Sequence, residues 1–251
     1  MTSREATAFL PLTGNAEWRR DWRDWLWLLA VGAVQWPWLL KSLWGGRLRD
    51  KEALLRRLDL PMDALPNLGS WKADVGFLHY LVDHIEAHRP QMVMELGCGA
   101  SSLVLGRALQ LHGGGQLVSF DQHLEFVEST RRWLLSHDIH SELHHAPLIP
   151  AVAPWPGIWY DLSDVPQNID LLVIDGPPWT LHPLVRGSAS CLFDQVAPGG
   201  TIMLDDAARP GERIVAGRWA KAWPHFRWSR RAGIKGTLIG QCQNSQSNAS
   251  A

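Results

Sequence analysis

Cysteine is scarce in this chain. Cys98, Cys191 and Cys242 are the only three among 251 residues, and no two form a CxxC pair. An odd, dispersed set does not describe a disulfide framework and points to a reducing compartment, hence a cytoplasmic protein. An excess of one charge is also missing. Lys and Arg number 24 against 25 Asp and Glu, a formal net charge of -1, with no long run of either sign. A nucleic-acid reader would carry a concentrated basic face, so nucleic acid is not an expected partner. The chain also lacks an apolar run of the roughly twenty residues that cross a bilayer. Its longest candidate, Trp25 to Leu40, is interrupted by Gln35 and Pro37. That run starts late and follows acidic residues, which argues against a secretory signal. No internal repeat is visible.

Tryptophan, by contrast, is abundant: fifteen residues, seven of them between Trp18 and Trp44. Trp18, Trp22, Trp25 and Leu29 recur at helical spacing. Arg19, Arg20 and Arg23 precede the apolar run, and Lys41, Arg47 and Arg49 follow it. Residues 18–44 therefore read in two main ways, with a true membrane span as a third. One is a helix pair packed on the domain or in a homodimer. The other is a peripheral contact with a membrane interface, where Trp and flanking cations are favoured. Pro37 should kink or end the helix, and Gly45-Gly46 closes the segment. The expected organisation is a loose arm (Met1 to about Asn15) and Trp-rich helices within residues 1–60. A single domain over residues 61–241 and a polar, disordered tail over 242–251 follow.

From about Trp71 the pattern is regular. Strands are expected at Met92–Leu96, Gln116–Asp121, His140–His145, Ile169–Asp175 and Gly200–Asp205. Helices are expected at Val75–His88, Ser101–Leu111, Glu125–Leu135, Pro183–Val196 and Pro210–Trp223. Phe226–Arg230 and Gly236–Gln241 form a closing hairpin, and Pro147 to Asn168 is a long loop. Such alternation predicts an α/β fold with a doubly wound, mostly parallel sheet, preceded by a Trp-rich helical extension.

In such a sheet ligands bind beyond the carboxyl ends of the strands. The first strand runs into Glu95-Leu96-Gly97-Cys98-Gly99-Ala100-Ser101-Ser102, where glycines let the backbone turn tightly against a ligand. Cys98 is read as a small residue that fits the turn. The second strand ends at Asp121, an acid placed to accept both hydroxyls of a ribose. A dinucleotide site would prefer a third glycine where Ser102 stands. Glu95 also suits a cofactor with a cationic amino-acid end better than one with a pyrophosphate.

These residues, with Asp175-Gly176-Pro177-Pro178, Pro198-Gly199-Gly200 and Leu204-Asp205-Asp206, resemble the motif series of class I methyltransferases dependent on S-adenosylmethionine (SAM). The likeness covers roughly Trp71 to Gln241 and looks closest to small O-methyltransferase-like proteins with DGPP and DDAxR motifs. It implies that Gly97 and Gly99 pack against the methionine part of SAM and that Glu95 organises its amino-acid end, directly or through water. Ser101 or Ser102 would bond the carboxylate, Asp121 would hold the ribose, and Ala146 and its neighbours would flank the adenine. It also implies a small-molecule or glycan-like acceptor.

Acids at adjacent strand ends, Asp175 beside Asp205 and Asp206, meet at one edge and suit Mg²⁺. The pattern is similar to metal-dependent catechol-type and macrocin-type O-methyltransferases, and a metal would lower the acceptor hydroxyl's pKa. The alternative is structural: Asp175 caps a turn and Asp206 the following helix, or Asp205 or Asp206 pairs with Arg209. The chain departs from the catechol-type pattern at Pro178, where that family has a lysine. Asp175 and His182 are therefore the candidate catalytic residues, and Asp175 also belongs to the expected cofactor-binding set. Arg186 reads equally as an anion contact or an ion pair. His140, His144 and His145 do not form a ligand set, because His145 points away from the other two on a strand. Trp155, Trp159 and Tyr160 either wall the acceptor site or pack over the sheet edge.

Overall fold

A computed structural model describes residues 21–69, 72–233 and 235–243. The expected arm, Trp18 and the tail beyond residue 243 lie outside them. Helix α1 (Trp22–Ser42) starts with a reciprocal cap in which Asp21 Oδ1 accepts from the Asp24 amide at 2.9 Å and Asp24 Oδ2 from the Asp21 amide at 3.2 Å. The helix does not end at Pro37 but continues to Ser42, with Val31, Gln35 and Ser42 buried on both sides of the proline. Tertiary packing along one side outweighs the lost backbone bond. Among the described residues no helix is long and apolar enough to cross a membrane.

Helix α2 (Leu48–Arg57) buries Leu54 and Leu55, and α3 (Val75–His88) is capped by Asp74, whose Oδ1 accepts from the Phe77 amide at 3.0 Å. Then come β1 (Met92–Leu96), α4 (Ala100–His112), β2 (Gln116–Asp121), α5 (Leu124–Leu135) and β3 (Glu142–His145). The expected long loop contains a small antiparallel ladder, β4 (Leu148–Pro150) with β5 (Ile158–Tyr160). Strand β6 (Ile169–Ile174) is followed by a 3₁₀ helix (Val185–Gln195) where an ordinary helix was expected. There Gly187 lies so close to the Trp155 ring that an added Cβ would sit 2.1 Å from it, and its carbonyl accepts the Trp219 indole N–H at 3.0 Å. Strand β7 (Val196–Leu204), α6 (Pro210–Ala222) and the hairpin β8 (Phe226–Arg231) and β9 (Thr237–Cys242) complete the chain.

The seven-stranded sheet has the order β3-β2-β1-β6-β7-β9-β8, parallel from β3 to β7 and antiparallel at β9 and β8. Side chains alternate by period two. Val93, Leu171, Val173 and Met203 join one core with α2, α3 and α4, while Met94, Leu96, Leu172, Ile174, Ile202 and Leu204 join the other with Phe193 and Trp219. The register sets Leu96 beside Phe120 and Ile174, and Ile174 beside Leu204. The four central strands therefore end level, and strand order reverses between β1 and β6.

Candidate active site

A cavity opens at that reversal. One wall is the turn Gly97–Ser101 with Asp121, Gln122, His123 and Phe126. The other is Asp175, Gly176, Pro178, Thr180, Arg186, Asp206 and Arg209, and Tyr160, Pro66, Lys72 and Ala73 also contribute. Of the residues expected here, Gly97, Gly99, Ser101, Asp121, Asp175 and Asp206 line the cavity. Glu95, Ser102, Ala146, His182 and Asp205 do not, and each departure has a physical reason.

Glu95 is fully buried behind the turn. Its Oε2 accepts from Ser102 Oγ at 2.5 Å and Ser119 Oγ at 2.7 Å, and Ser102 Oγ in turn accepts the Gly99 amide at 2.9 Å. Glu95 Oε2 thus shapes the glycine turn through Ser102, which is also fully buried, while Oε1 accepts no hydrogen bond among the described residues. Burial raises its carboxyl to about 7, against the pull of the serine hydroxyls. Gly97, at φ 92°, abuts the β6 exit: an added Cβ would lie 2.7 Å from the Gly176 amide nitrogen. The two strand ends cross there without side chains. Gly99, at φ 149°, faces open space toward Phe126, where an added Cβ would come to 3.5 Å. That leaves a cradle for a bound group.

Asp121 accepts the His123 amide at 2.8 Å, and burial raises it to about 7. Ala146 is 1% exposed and packs in the core, so Gln122 and His123 supply the cavity wall beyond β2. His182 is fully buried outside the cavity; its Nδ1 accepts the Leu184 amide at 3.0 Å and its Nε2 lies 3.9 Å from Asp24 of α1. It lies between the β6 loop and α1, and it is not among the residues that line the cavity. Trp155, Trp159 and Tyr160 are core residues, and the Tyr160 hydroxyl is buried at the cavity wall with no hydrogen-bond partner among the described residues. The three histidines near β3 do not meet: His144 stacks on Phe120 and His145 contacts the Gln122 carbonyl.

Asp175, Asp205 and Asp206 do converge, with candidate ligand oxygens within 4.8 Å of one another. Three cations, however, are built into the same space. Arg186 reaches Asp175 Oδ1 at 3.4 Å and Asp206 Oδ2 at 3.3 Å, Arg209 reaches Asp206 at 3.0 Å, and Lys235 reaches Asp206 at 3.6 Å and Asp205 at 4.0 Å. Arg186 also donates to the carbonyls of Asp175, Pro177 and Asp205. Burial alone would raise Asp206, but Arg209, Lys235 and Arg186 hold it at about 2. Burial drives Asp205 well above the usual carboxylate range, reinforced by Asp206 and Asp175. Burial also brings Asp175 up to about 6, restrained by Arg186 and Lys235. A divalent ion needs unclaimed carboxylates and a surplus of negative charge. Here Arg186, Arg209 and Lys235 pair with Asp175 and Asp206, while both Asp205 oxygens and Asp206 Oδ1 accept no hydrogen bond among the described residues, so the cluster is an ion-pair knot that still offers carboxylate oxygens to a cation. Arg186 resolves as an ion-pair partner. Lys235 was not foreseen, because nothing in its local sequence links it to residues thirty positions earlier.

Residues 94–207 match a family model described as a methyltransferase domain. Among solved structures, an O-methyltransferase from Bacillus cereus in complex with SAH is similar at 14% identity and TM-score 0.52, covering 88% of this chain and all of that one. A methyltransferase from Geobacter sulfurreducens is similar at 16% identity and TM-score 0.50, covering 77% and 86%. An SAH-bound methyltransferase from Podospora anserina is similar at 12% and 0.50, covering 91% and 100%. No curated protein matches the sequence significantly. The chain has the Rossmann-like methyltransferase fold, with an added helix at its N-terminal side.

Proposed function

We propose that this protein is a SAM-dependent methyltransferase acting on a hydroxyl of a small-molecule or glycan-like acceptor. The observation that carries the reading is the cavity at the strand reversal, walled by the Gly97–Ser101 turn and Asp121 on one side and Asp175 on the other. The solved O-methyltransferase of similar fold in complex with SAH supports it.

When bound, SAM supplies an electrophilic methyl group, transferred by in-line displacement. The chain's own residues do the rest. The Gly99 cradle leaves room for the methionine part, and Ser101 at the wall is placed to bond a carboxylate. Asp121, once ionised, accepts the ribose hydroxyls. Asp175 takes the acceptor's proton: it lines the cavity, and a carboxyl near 6 is a competent base at neutral pH. Positioning the acceptor oxygen about 3 Å from the methyl carbon supplies much of the rate.

Calorimetry with SAM tests the cofactor, and expected binding weakens at least about ten-fold in Asp121→Ala. Absence of binding, or an unchanged affinity in that variant, overturns the reading. On a panel of hydroxyl acceptors, Asp175→Asn should lower kcat by about a hundred-fold or more while leaving SAM affinity nearly unchanged. Wild-type kcat should rise as pH passes about 6, where Asp175 ionises.

A further inference from the structure

We propose that α1 is an in-plane anchor that seats this protein on an anionic phospholipid surface. The helix is two-sided. Its inner side buries Val31, Gln35 and Ser42 and brings Asp24 to 3.9 Å from His182, fixing α1 to the body beside α6. Its outer side carries Trp22, Leu26, Leu29, Trp36, Leu40 and Leu43, each at least 54% exposed. Over 21 residues at 1.5 Å rise this stripe runs about 30 Å, far beyond the scattered apolar residues that need no explanation.

Charge selects the occupant. From Trp25 to Arg49 the chain contains no acid, while Lys41, Arg47 and Arg49 are exposed at one end. Arg23 stands at the other, its guanidinium 5.5 Å from the Trp22 ring centre. Asp21 and Asp24 are held by the helix cap and by His182. An apolar, Trp-bearing stripe with cations at both ends matches a bilayer interface, where rings settle at headgroup depth and cations meet lipid phosphates. A second copy fits worse: antiparallel or parallel, pairing two such helices sets cations against cations.

The test is sedimentation of the full-length protein with vesicles of phosphatidylglycerol and phosphatidylcholine, against phosphatidylcholine alone. Expected is binding to the anionic vesicles with a blue shift of tryptophan emission. Leu29→Glu with Trp36→Glu should lower it at least about ten-fold, and Lys41→Glu about five-fold or more. Thermal melting of each variant by circular dichroism shows that the fold is retained. No binding to anionic vesicles, equal binding to both vesicle types, or binding unaffected by the Glu substitutions overturns the proposal. So does a dimer in solution that Trp36→Glu dissolves without any vesicle binding. None of these outcomes bears on SAM binding, which calorimetry tests separately.

Discussion

Glu95 shows how a side chain behind a cavity can shape the turn that walls it. Read from sequence, an acid two residues before Gly97 looks like a ligand contact. In three dimensions it is an anchor, receiving two serine hydroxyls and through Ser102 fixing the Gly99 amide. Strand β1 is buried on both faces, with Glu95 on the side of Val93, and only packing reveals which partners wait there. Glu95 and Asp121 both titrate near 7 when folded, against ordinary values of 4.5 and 3.8. The folded chain therefore keeps protons that the unfolded chain has lost, so these groups make stability fall as pH rises from about 4 to about 7. Asp121→Asn should remove part of that slope. Its melting temperature relative to wild type should climb by about 3 °C or more between pH 4 and pH 7 in thermal scans. A constant difference across that range would show that Asp121 does not titrate as described.

Among the elements, the junction of β1 and β6 carries the tightest constraint. Gly97 and Gly176 meet backbone to backbone, and Gly97 adopts a positive φ that other residues resist. Gly97→Ala should destabilise the protein by about 2 kcal/mol or more in urea unfolding, since both conformation and space oppose the methyl group. Gly99→Ala meets only Phe126 at 3.5 Å but is strained by its φ of 149°, and it should impair SAM binding by filling the cradle. Strand and helix positions in this half were legible from periodicity, with β1 and β2 matching residue for residue. The β4–β5 ladder was not, because three-residue strands leave too short a pattern to separate from a loop. Nor was the continuity of α1 through Pro37, which depends on what lies beneath the helix.

Across the whole molecule, the ion-pair knot joins parts distant in sequence. Lys235, from the β8–β9 connection, pairs with Asp206 after β7 and donates to the Lys72 carbonyl at 2.8 Å, near the cavity rim; Arg186 and Arg209 close the circle. Removing one member strands a buried charge, so Lys235→Met should destabilise the fold by about 3 kcal/mol, read from chemical denaturation. EDTA and Mg²⁺ test whether these cations alone occupy the acids: if they do, EDTA leaves methyl transfer unchanged and Mg²⁺ gives no binding heat. Loss of activity on chelation, restored by Mg²⁺, would show instead that a cation displaces the knot.

The order of strands and helices, the glycine turn and the acids at strand ends follow from local pattern. Each depends on residues within a few positions of one another: alternation, helical period, a turn needing small residues. Which acids face the cavity, whether neighbouring cations satisfy them and where His182 lies are decided by contacts across the sheet. Asp175, Asp205 and Asp206 illustrate the division. Their placement at strand ends is a consequence of sequence register, whereas their partners, Arg186 and Lys235, arrive from other elements, and only the folded chain sets the charges side by side.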